Sequence, residues 1–404
     1  MTLFIYILLI STIIYKESKV LGQCTMESSS IRIKRPIYDF TINLATRIAQ
    51  EKDNHFISST LSQWTLISEL SLGATDDTLE DIQKVLRLHK HRCFNENYWK
   101  IIKSLLDSGD VTIGRSSMII IDKEFELKDA FSNSITKTGL CEISLQDFEE
   151  TITSATAVND YVNQVTQGVI DDVVTPNDFD SLNLILIDAL YFKGTWSKTF
   201  ATTNTDTASF YDEIGNRVGE VNLMYVNDKF NVTTIEQVNA KVLELPYGTD
   251  SGFSMLIFLP DVGTQLSSVI YNLKKISLAT VFRKFEMEGP RTVTVEIPRF
   301  KITSDLDNLR ELLSDMGLKT MFDSTRASFF YLSDQPLYVS DFIQKASIEV
   351  TEEGTEAAAV SEAGLRWRTL DEEFIANRPF AFIIVNSRSQ LPLFIGAYSK
   401  PSVY

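Results

Sequence analysis

An alternation with a period of two, across residues 355–366, constrains this chain more than any other feature of its sequence. The odd-numbered positions are uncharged and mostly small, with Thr355, Ala357, Ala359, Ser361, Ala363 and Leu365. All charges of the segment lie on even-numbered positions, at Glu356, Glu362 and Arg366. Because neighbouring residues of a strand point to opposite faces, the segment could lay an uncharged face against a buried layer and keep its charges in water.

The composition of the same segment favours a different structure. Ala and Glu are helix formers, and between Gly354 and Arg368 only Thr355 and Val360 are β-branched. An amphipathic surface helix or a mobile loop is therefore the simpler interpretation. A segment that can form a strand without being committed to one predicts two states, an exposed loop and a strand inserted in a sheet.

The residues at the start of this segment resemble the hinge of the inhibitory serpins. The resemblance lies in Glu352–Ala359, which read Glu-Glu-Gly-Thr-Glu-Ala-Ala-Ala. In that family a reactive-centre loop follows the hinge, and a Pro-Phe pair follows the loop. Arg368 lies fourteen residues after Gly354 and Pro379 eleven residues later, so the family's spacing fits without a gap.

Other segments resemble the same family, from about residue 36 to the end of the chain. Residues 191–196, Tyr-Phe-Lys-Gly-Thr-Trp, are similar to the segment beneath the point where the loop inserts. Two positions depart from the family pattern. Ser59-Thr60-Leu61-Ser62 lacks a proline that the family often has, and Asp188 stands where the family usually has asparagine. Residues 343–350 are more similar to secreted arthropod serpins than to vertebrate ones.

The resemblance implies an α+β fold, in which a single large domain of about nine helices packs on three β-sheets and exposes a reactive-centre loop. We expect a signal peptide over residues 1–22, the serpin domain over 23–404, and the loop at about 352–378. The implied site residues fall into three groups. They are the reactive bond Arg368–Thr369, the hinge of Gly354, Thr355, Glu356, Ala357, Ala358 and Ala359, and the loop-base and sheet-opening residues Glu352, Arg299, Trp196, Ser59 and Ser62.

The implied function is inhibition of a trypsin-like serine protease by a suicide substrate that is a monomer before it reacts. The protease would attack Arg368, and the cleaved loop would insert in the central sheet with the protease still attached by a covalent bond. The alternative is a non-inhibitory serpin, such as a carrier, chaperone or storage protein. The uncharged odd face of the hinge favours the inhibitor, because a buried charge there would obstruct insertion. No catalytic group and no cofactor is expected.

The extreme N-terminus predicts secretion. Residues 3–15 form an apolar run too short to span a bilayer comfortably, and Lys16, Glu17 and Lys19 follow it. Cleavage near Gly22 would leave 36 basic against 53 acidic residues, a net charge of −17. Such an acidic surface argues against nucleic acid and anionic membranes as partners. A basic local stretch, residues 84–103, could take a heparin-like polyanion, but a solvated helix face is the preferred interpretation.

Few residues are available for metal or nucleophilic chemistry. The three cysteines, Cys24, Cys93 and Cys141, are an odd number for a secreted chain, so at least one is free or bonded to another molecule. A bond between Cys24 and Cys93 is one arrangement that the sequence allows. The three histidines and the lack of a C-x-x-C pair argue against a zinc site and against a hydrolase. Asn231-Val232-Thr233 is the single sequon, and it predicts a glycosylated surface asparagine in a secreted chain.

The pattern of apolar residues predicts the main elements. We expect helices over 36–49 with Pro36 in the first turn, over 61–72, within 77–106, over 156–174 and over 304–317. We expect strands over 184–192, where a continuous apolar run suits a strand buried on both faces, and over 242–247, 253–260, 292–302, 339–350, 380–385 and 393–396.

Overall fold

The computed structural model describes residues 23–107, 111–180, 183–249, 252–354 and 372–404, and these form helices packed on three sheets. Their α-helices are α1 (Met26–Glu51), α2 (Thr60–Leu70), α3 (Asp76–Leu86), α4 (Arg92–Leu106), α5 (Asp129–Thr138), α6 (Thr151–Val165), α7 (Leu266–Asn272), α8 (Leu278–Glu288) and α9 (Leu309–Met316). None of the helices among the described residues is long and apolar enough to cross a membrane.

Fifteen strands are present in the described part of the chain. They are β1 (Phe56–Ser58), β2 (Thr112–Asp122), β3 (Glu142–Gln146), β4 (Leu184–Lys193), β5 (Thr205–Tyr211), β6 (Arg217–Phe230), β7 (Val232–Ile235), β8 (Ala240–Tyr247), β9 (Phe253–Pro260), β10 (Arg291–Pro298), β11 (Phe300–Leu306), β12 (Asp341–Val350), β13 (Glu372–Ile375), β14 (Phe380–Asn386) and β15 (Leu391–Tyr398). Sheet A has the order β11-β12-β4-β2-β3, sheet B the order β1-β15-β14-β9-β8-β7, and sheet C the order β13-β10-β6-β5.

Strand β4 lies at the centre of sheet A and explains the apolar run at 184–192. Ile185 and Ile187 pack in a core beneath α6, together with Val158 and Val162 of that helix. Alternate residues, such as Leu184, Leu186 and Phe192, face the larger core between sheet A and sheet B. Because both faces of the strand are covered, apolar residues occupy nearly every position, as predicted from the sequence.

Strands β4 and β12 run parallel and are hydrogen-bonded neighbours along their whole shared length. The register pairs Ile185 with Asp341 at one end and Phe192 with Ile348 at the other. Gln344 lies directly opposite Asp188 in this register. If these two parallel strands separated, one antiparallel strand could insert between them. In this structure β4 and β12 are paired directly, so that position is closed.

The first helix differs from the prediction. Helix α1 begins at Met26, ten residues before Pro36, which lies inside the helix. Thr25 and Ser28 form a reciprocal capping box at the N-terminus, and the buried residues Ile33 and Ile37 continue the apolar face across the proline. The packing of this face outweighs the loss of one main-chain hydrogen bond at Pro36.

Three further boundaries were predicted wrongly. The region 292–302 contains two strands of different sheets, β10 of sheet C and β11 of sheet A, with Arg299 between them. Consequently α9 starts only at Leu309, although its end before Gly317, with φ of 112°, is as predicted. Helix α6 ends at Val165 rather than at residue 174, because Gln167 and Gly168 take positive φ values.

The cysteine arrangement is resolved by the fold. Cys24 and Cys93 form a disulfide that ties the start of α1 to α4. Cys141 is free and buried, and burial raises the pKa of its thiol. This thiol is therefore protonated and inert near neutral pH.

Candidate functional site

The chain leaves β12 through a tight turn, Thr351–Gly354. The amide of Thr351 donates to the carbonyl of Gly354 at 2.7 Å, and the amide of Gly354 donates back to the carbonyl of Thr351 at 3.1 Å. The Thr351 hydroxyl donates to the same Gly354 carbonyl at 2.8 Å. The turn therefore brings Gly354 back beside Thr351 in an antiparallel bridge.

Only glycine fits at position 354. Its φ of 124° is a conformation that other residues rarely adopt. A Cβ atom there would also lie 2.2 Å from the carbonyl oxygen of Gly194 and 2.7 Å from the Cα of Thr195. The glycine therefore lets two main-chain segments approach closely at the base of the loop.

Gly354 lies between the extensions of β4 and β12. It forms antiparallel bridges to Thr195, just past β4, and to Thr351, just past β12. In the register of β12 with β4, Ile348 lies opposite Phe192. Thr351 and Thr195, each three residues later, therefore lie opposite each other as well. Gly354 thus occupies the first position of a strand that would run antiparallel between β4 and β12.

The loop base is held against residues 195–200 by main-chain hydrogen bonds. The amide of Trp196 donates to the carbonyl of Glu353 at 2.9 Å, and the amide of Phe200 donates to the carbonyl of Glu352 at 2.8 Å. The Trp196 indole also donates to the carbonyl of Thr351 at 3.0 Å. Its ring stacks on the buried Tyr247, with ring centroids 4.3 Å apart. The tryptophan therefore packs beneath the turn and stabilises it.

The Glu352 side chain is 4% exposed and pairs with Arg299, which was predicted to lie at the loop base as well. Arg299 Nη1 lies 3.4 Å from Glu352 Oε1, and the Thr205 hydroxyl donates to the same oxygen at 2.7 Å. The three residues belong to different parts of the fold, since Thr205 begins β5 and Arg299 connects β10 to β11. The carboxylate thus joins the loop base to sheet C.

A buried polar cluster crosses the seam between β4 and β12. The hydroxyls of Ser62 and Ser117 donate to Asp188 Oδ1 at 2.5 and 2.7 Å, and Gln344 Nε2 donates to Oδ2 at 2.6 Å. Gln344 Oε1 accepts from the Ser58 hydroxyl at 2.8 Å and from the Ser59 amide at 3.2 Å. We call Ser62, Ser117, Asp188 and Gln344 the seam cluster.

Burial is the main influence on the protonation of Asp188. It raises the pKa of this carboxyl to about 6, although hydrogen bonds from Ser62, Ser117 and Gln344 and the charge of Arg115 act in the opposite direction. Asparagine, the usual residue of the family at this position, would carry no charge. The departure noted in the sequence therefore places a titrating group at the centre of sheet A.

Comparison with known proteins identifies the chain's family. The sequence model described as "Serpin (serine protease inhibitor)" matches residues 36–401. The chain belongs to the serpin family. The leukocyte elastase inhibitor of Xenopus laevis is 31% identical to this serpin over 353 residues, which cover 85% of this chain and 92% of that protein.

Solved structures show the same fold. Native protease nexin-1, crystallised with heparin, is 26% identical and superposes with a TM-score of 0.80 over 92% of this serpin and all of that chain. Human thyroxine-binding globulin complexed with thyroxine, at 23% identity, gives a TM-score of 0.81 over 93% of this serpin and all of that chain. The predicted serpin fold is confirmed, and the matched family is described as one of serine protease inhibitors, not of enzymes.

Glu352→Lys is expected to release the loop base of this serpin. The substitution would remove the partner of Arg299 and place a second cation in a buried position, at a cost of about 3 kcal/mol. We expect the variant to lose inhibitory activity on standing and to polymerise faster than the parent, as measured by gel filtration over time. A control variant, Glu373→Lys, makes the same charge change at an exposed position of β13. A Glu352→Lys variant that stays monomeric and fully active would contradict the role of the Glu352–Arg299 pair in holding the loop base.

Several predicted residues lie outside the described part of the chain. These are the hinge residues Thr355, Glu356, Ala357, Ala358 and Ala359 and the reactive bond Arg368–Thr369. Among the described ones, Gly354, Glu352, Arg299 and Trp196 come together at the loop base, whereas Ser59 and Ser62 lie at the seam cluster. The roles of all these residues remain predictions.

Sequence reasoning missed some members of both groups. Thr205 and Tyr247 at the loop base give no local signal, because each is brought there by a distant element. Gln344 of the seam cluster does carry a signal. It follows Phe342 and Ile343 in a predicted strand, and a polar side chain that such a strand buries requires a buried hydrogen-bond partner.

The sequon is not a freely exposed asparagine. Asn231 is half-buried, and its Nδ2, the atom that would carry a glycan, donates to Glu244 Oε2 at 2.8 Å. Thr233 is buried and donates to Glu288 at 2.7 Å. Both polar residues of the sequon are hydrogen-bonded in the folded chain, and glycosylation of Asn231 stays a prediction.

The basic stretch 84–103 lies on α3, α4 and the loop between them. Arg92 pairs with Glu96 on the exposed face of α4. Between α4 and α5 a cavity of about 320 Å³ is lined by Arg92, Lys100, Lys103 and Lys137, among other residues. The cations are solvated, as the preferred interpretation predicted, and binding of a polyanion stays an untested alternative.

Proposed function

We propose that this serpin is a secreted suicide inhibitor of trypsin-like serine proteases. The observation that carries the proposal is the position of Gly354, bridged to Thr195 and to Thr351 between the extensions of β4 and β12. Gly354 is therefore already aligned as the first residue of an inserted strand. A small opening of the seam would extend this bridge into a ladder without rearranging the turn.

The register predicts which face of the inserted strand would be buried. If the bridge of Gly354 to Thr195 is extended, Ala357 comes opposite Phe192 and Ile348, and Ala359 opposite Leu190 and Ala346. These four residues of β4 and β12 face the large core and are buried. The odd-numbered face of the hinge, which is uncharged in the sequence, is therefore the face that would enter this core.

The reaction itself would follow the protease's own chemistry. The serine Oγ of the protease attacks the carbonyl carbon of Arg368, the Arg368–Thr369 peptide bond breaks, and the new amine of Thr369 takes a proton. An ester then joins protease and Arg368. Insertion of the freed segment would carry the protease away and distort it before water hydrolyses the ester. Arg368 suits a specificity pocket with a carboxylate at its base.

Two features support an extracellular location. The apolar run at residues 3–15 is typical of a signal peptide. The disulfide between Cys24 and Cys93 is of a kind that persists in oxidising compartments. The similarity of residues 343–350 to secreted arthropod serpins agrees with a role in an extracellular protease cascade.

The experiment that tests the proposal is a reaction with trypsin followed by denaturing electrophoresis. We expect a covalent complex that survives boiling in detergent. Arg368→Ala should abolish it because the specificity pocket loses its cation, whereas Arg366→Ala, a matched loss of one arginine two residues away, should retain it. Rapid cleavage by trypsin without a stable complex would favour a non-inhibitory serpin, the alternative function.

A further inference from the structure

The last described residues, Ser399–Tyr404, form a strap that reaches from sheet B to the base of the loop. At its start the amides of Ser399 and Lys400 donate to His55 Nδ1 at 3.3 and 3.2 Å. Burial and the charge of Lys400 lower the pKa of His55 to about 4, so this nitrogen is free to accept both bonds at neutral pH. The Ser399 hydroxyl adds a bond to the carbonyl of Asp53 at 2.9 Å.

The middle of the strap rests on sheet C. Pro401 packs directly over Gly219 of β6, where a Cβ atom would lie 2.6 Å from the proline ring. The amide of Ser402 donates to the hydroxyl of Tyr398 at 3.2 Å. These contacts fix the direction of the strap and bring its end over the connection between β10 and β11.

Tyr404 makes three contacts at the loop base. Its main-chain oxygen accepts from Arg299 Nε at 2.6 Å and from Asn222 Nδ2 at 2.9 Å. Its phenol hydroxyl donates to Glu349 of β12. Burial, together with the Glu349 carboxylate, raises the pKa of this phenol to about 12, so it remains a donor at physiological pH.

The geometry points to Tyr404 as a positioning residue that holds Arg299 against Glu352 and ties β12 to sheet C, thereby restraining the loop base until cleavage. Arg299 donates from Nε to Tyr404 and from Nη1 to Glu352. The strap therefore fixes the plane of the guanidinium group and so the direction of its bond to Glu352. Glu349 and Glu352 flank the point where β12 becomes the turn, and Tyr404 therefore restrains both sides of it.

This inference rests on the proposed function for its physiological meaning, but its physical part can be tested without a protease. The amides of Trp196 and Phe200 are bonded to the loop base itself. Their hydrogen exchange, measured by mass spectrometry on a peptide covering residues 194–200, reports how often that base opens.

The test compares the parent with a chain that ends at Ser402. Loss of a hydrogen bond to the charged Arg299 is expected to increase exchange of this peptide about tenfold, and to speed spontaneous loss of trypsin inhibition by a similar factor. Tyr404→Phe keeps the main-chain oxygen but removes the bond to Glu349, and a smaller increase is expected. Lys400→Ala is the matched control and should behave like the parent, because it removes the outer pair with Asp53 but keeps the main-chain bond to His55, whose pKa is lowered mainly by burial.

Unchanged exchange of residues 194–200 in both the shortened chain and Tyr404→Phe would overturn the inference. So would an equal increase in remote strands such as β9 and β14, because that outcome means a general loss of stability. Should the shortened chain fail to fold, Tyr404→Phe alone decides, with the same peptide. If trypsin gives no covalent complex with the parent, the proposed function fails, while the exchange result still decides whether Tyr404 restrains the loop base.

Discussion

Ala357→Glu is expected to convert this serpin from an inhibitor into a substrate of trypsin. In the inserted strand, position 357 would lie between Phe192 and Ile348, which are both at most 2% exposed. A glutamate there would bury a charge without a partner, which costs about 3–5 kcal/mol. Because each 1.4 kcal/mol is about tenfold in rate, insertion would slow by two orders of magnitude or more, and the ester would be hydrolysed first.

The measurement is the stoichiometry of inhibition, the number of inhibitor molecules consumed for each protease inactivated. The parent offers a matched control, since it carries Glu356 one position earlier. That position would lie opposite Lys193 and Glu349, which are only half-buried, so a charge is tolerated there. Ala357→Ser, small and uncharged, should inhibit like the parent. If Ala357→Glu inhibits as efficiently as Ala357→Ser, insertion in this register is not the mechanism.

Raising the pH is expected to promote opening of sheet A through Asp188. In the closed sheet burial is the main cause that raises the pKa of this carboxyl to about 6. Separating β4 from β12 lets water reach the carboxyl, so its pKa in the opened state is lower than in the closed state. The state with the higher pKa binds the proton more tightly, and lowering the pH through about 6 therefore favours the closed state.

The expected size follows from the closed-state pKa of about 6 and the ordinary aspartate pKa of about 3.9 that a hydrated carboxyl would approach, which together give about tenfold in rate. We expect spontaneous loss of inhibitory activity to slow by about this factor between pH 7.5 and pH 5, most of it below the pKa. Asp188→Asn keeps the shape and removes the titration, so its rate should be nearly independent of pH in this range.

Two charged groups face the seam cluster besides Asp188. Arg115 of β2 lowers the pKa of Asp188, and Glu69 of α2, whose pKa is raised mainly by burial, interacts with the same arginine. Glu69→Gln is therefore the control for a second titrating carboxyl. A pH dependence that persists in Asp188→Asn but vanishes in Glu69→Gln would assign the effect to Glu69 instead.

The local part of the site could be read from the sequence, whereas its long-range part could not. Glu352 and Arg299 were both assigned to the loop base from family positions, and the reversal at Gly354 agrees with a glycine at the start of the hinge. The contacts of Thr205 and Tyr404 with the same group depend on where sheet C and the strap pass over the loop base. No short pattern encodes such a meeting of distant segments.

The same distinction applies to the elements of the fold. The run 184–192 was predicted correctly because burial on both faces leaves a direct trace in composition. The start of α1 was missed because Pro36 usually marks a first helical turn, and tertiary packing of Ile33 and Ile37 overrides that preference. The residues 292–302 were taken as one strand, since the transfer of the chain from sheet C to sheet A at Arg299 is a matter of topology and not of periodicity.

The most direct test of the account is the thermal stability of the chain after a non-target protease has nicked the loop. Insertion would convert a metastable closed sheet into one with an additional central strand, with the odd-numbered face of the hinge buried between β4 and β12. The account predicts that the midpoint of thermal unfolding rises by tens of degrees on nicking. An unchanged or lower midpoint would contradict insertion and would favour the non-inhibitory alternative.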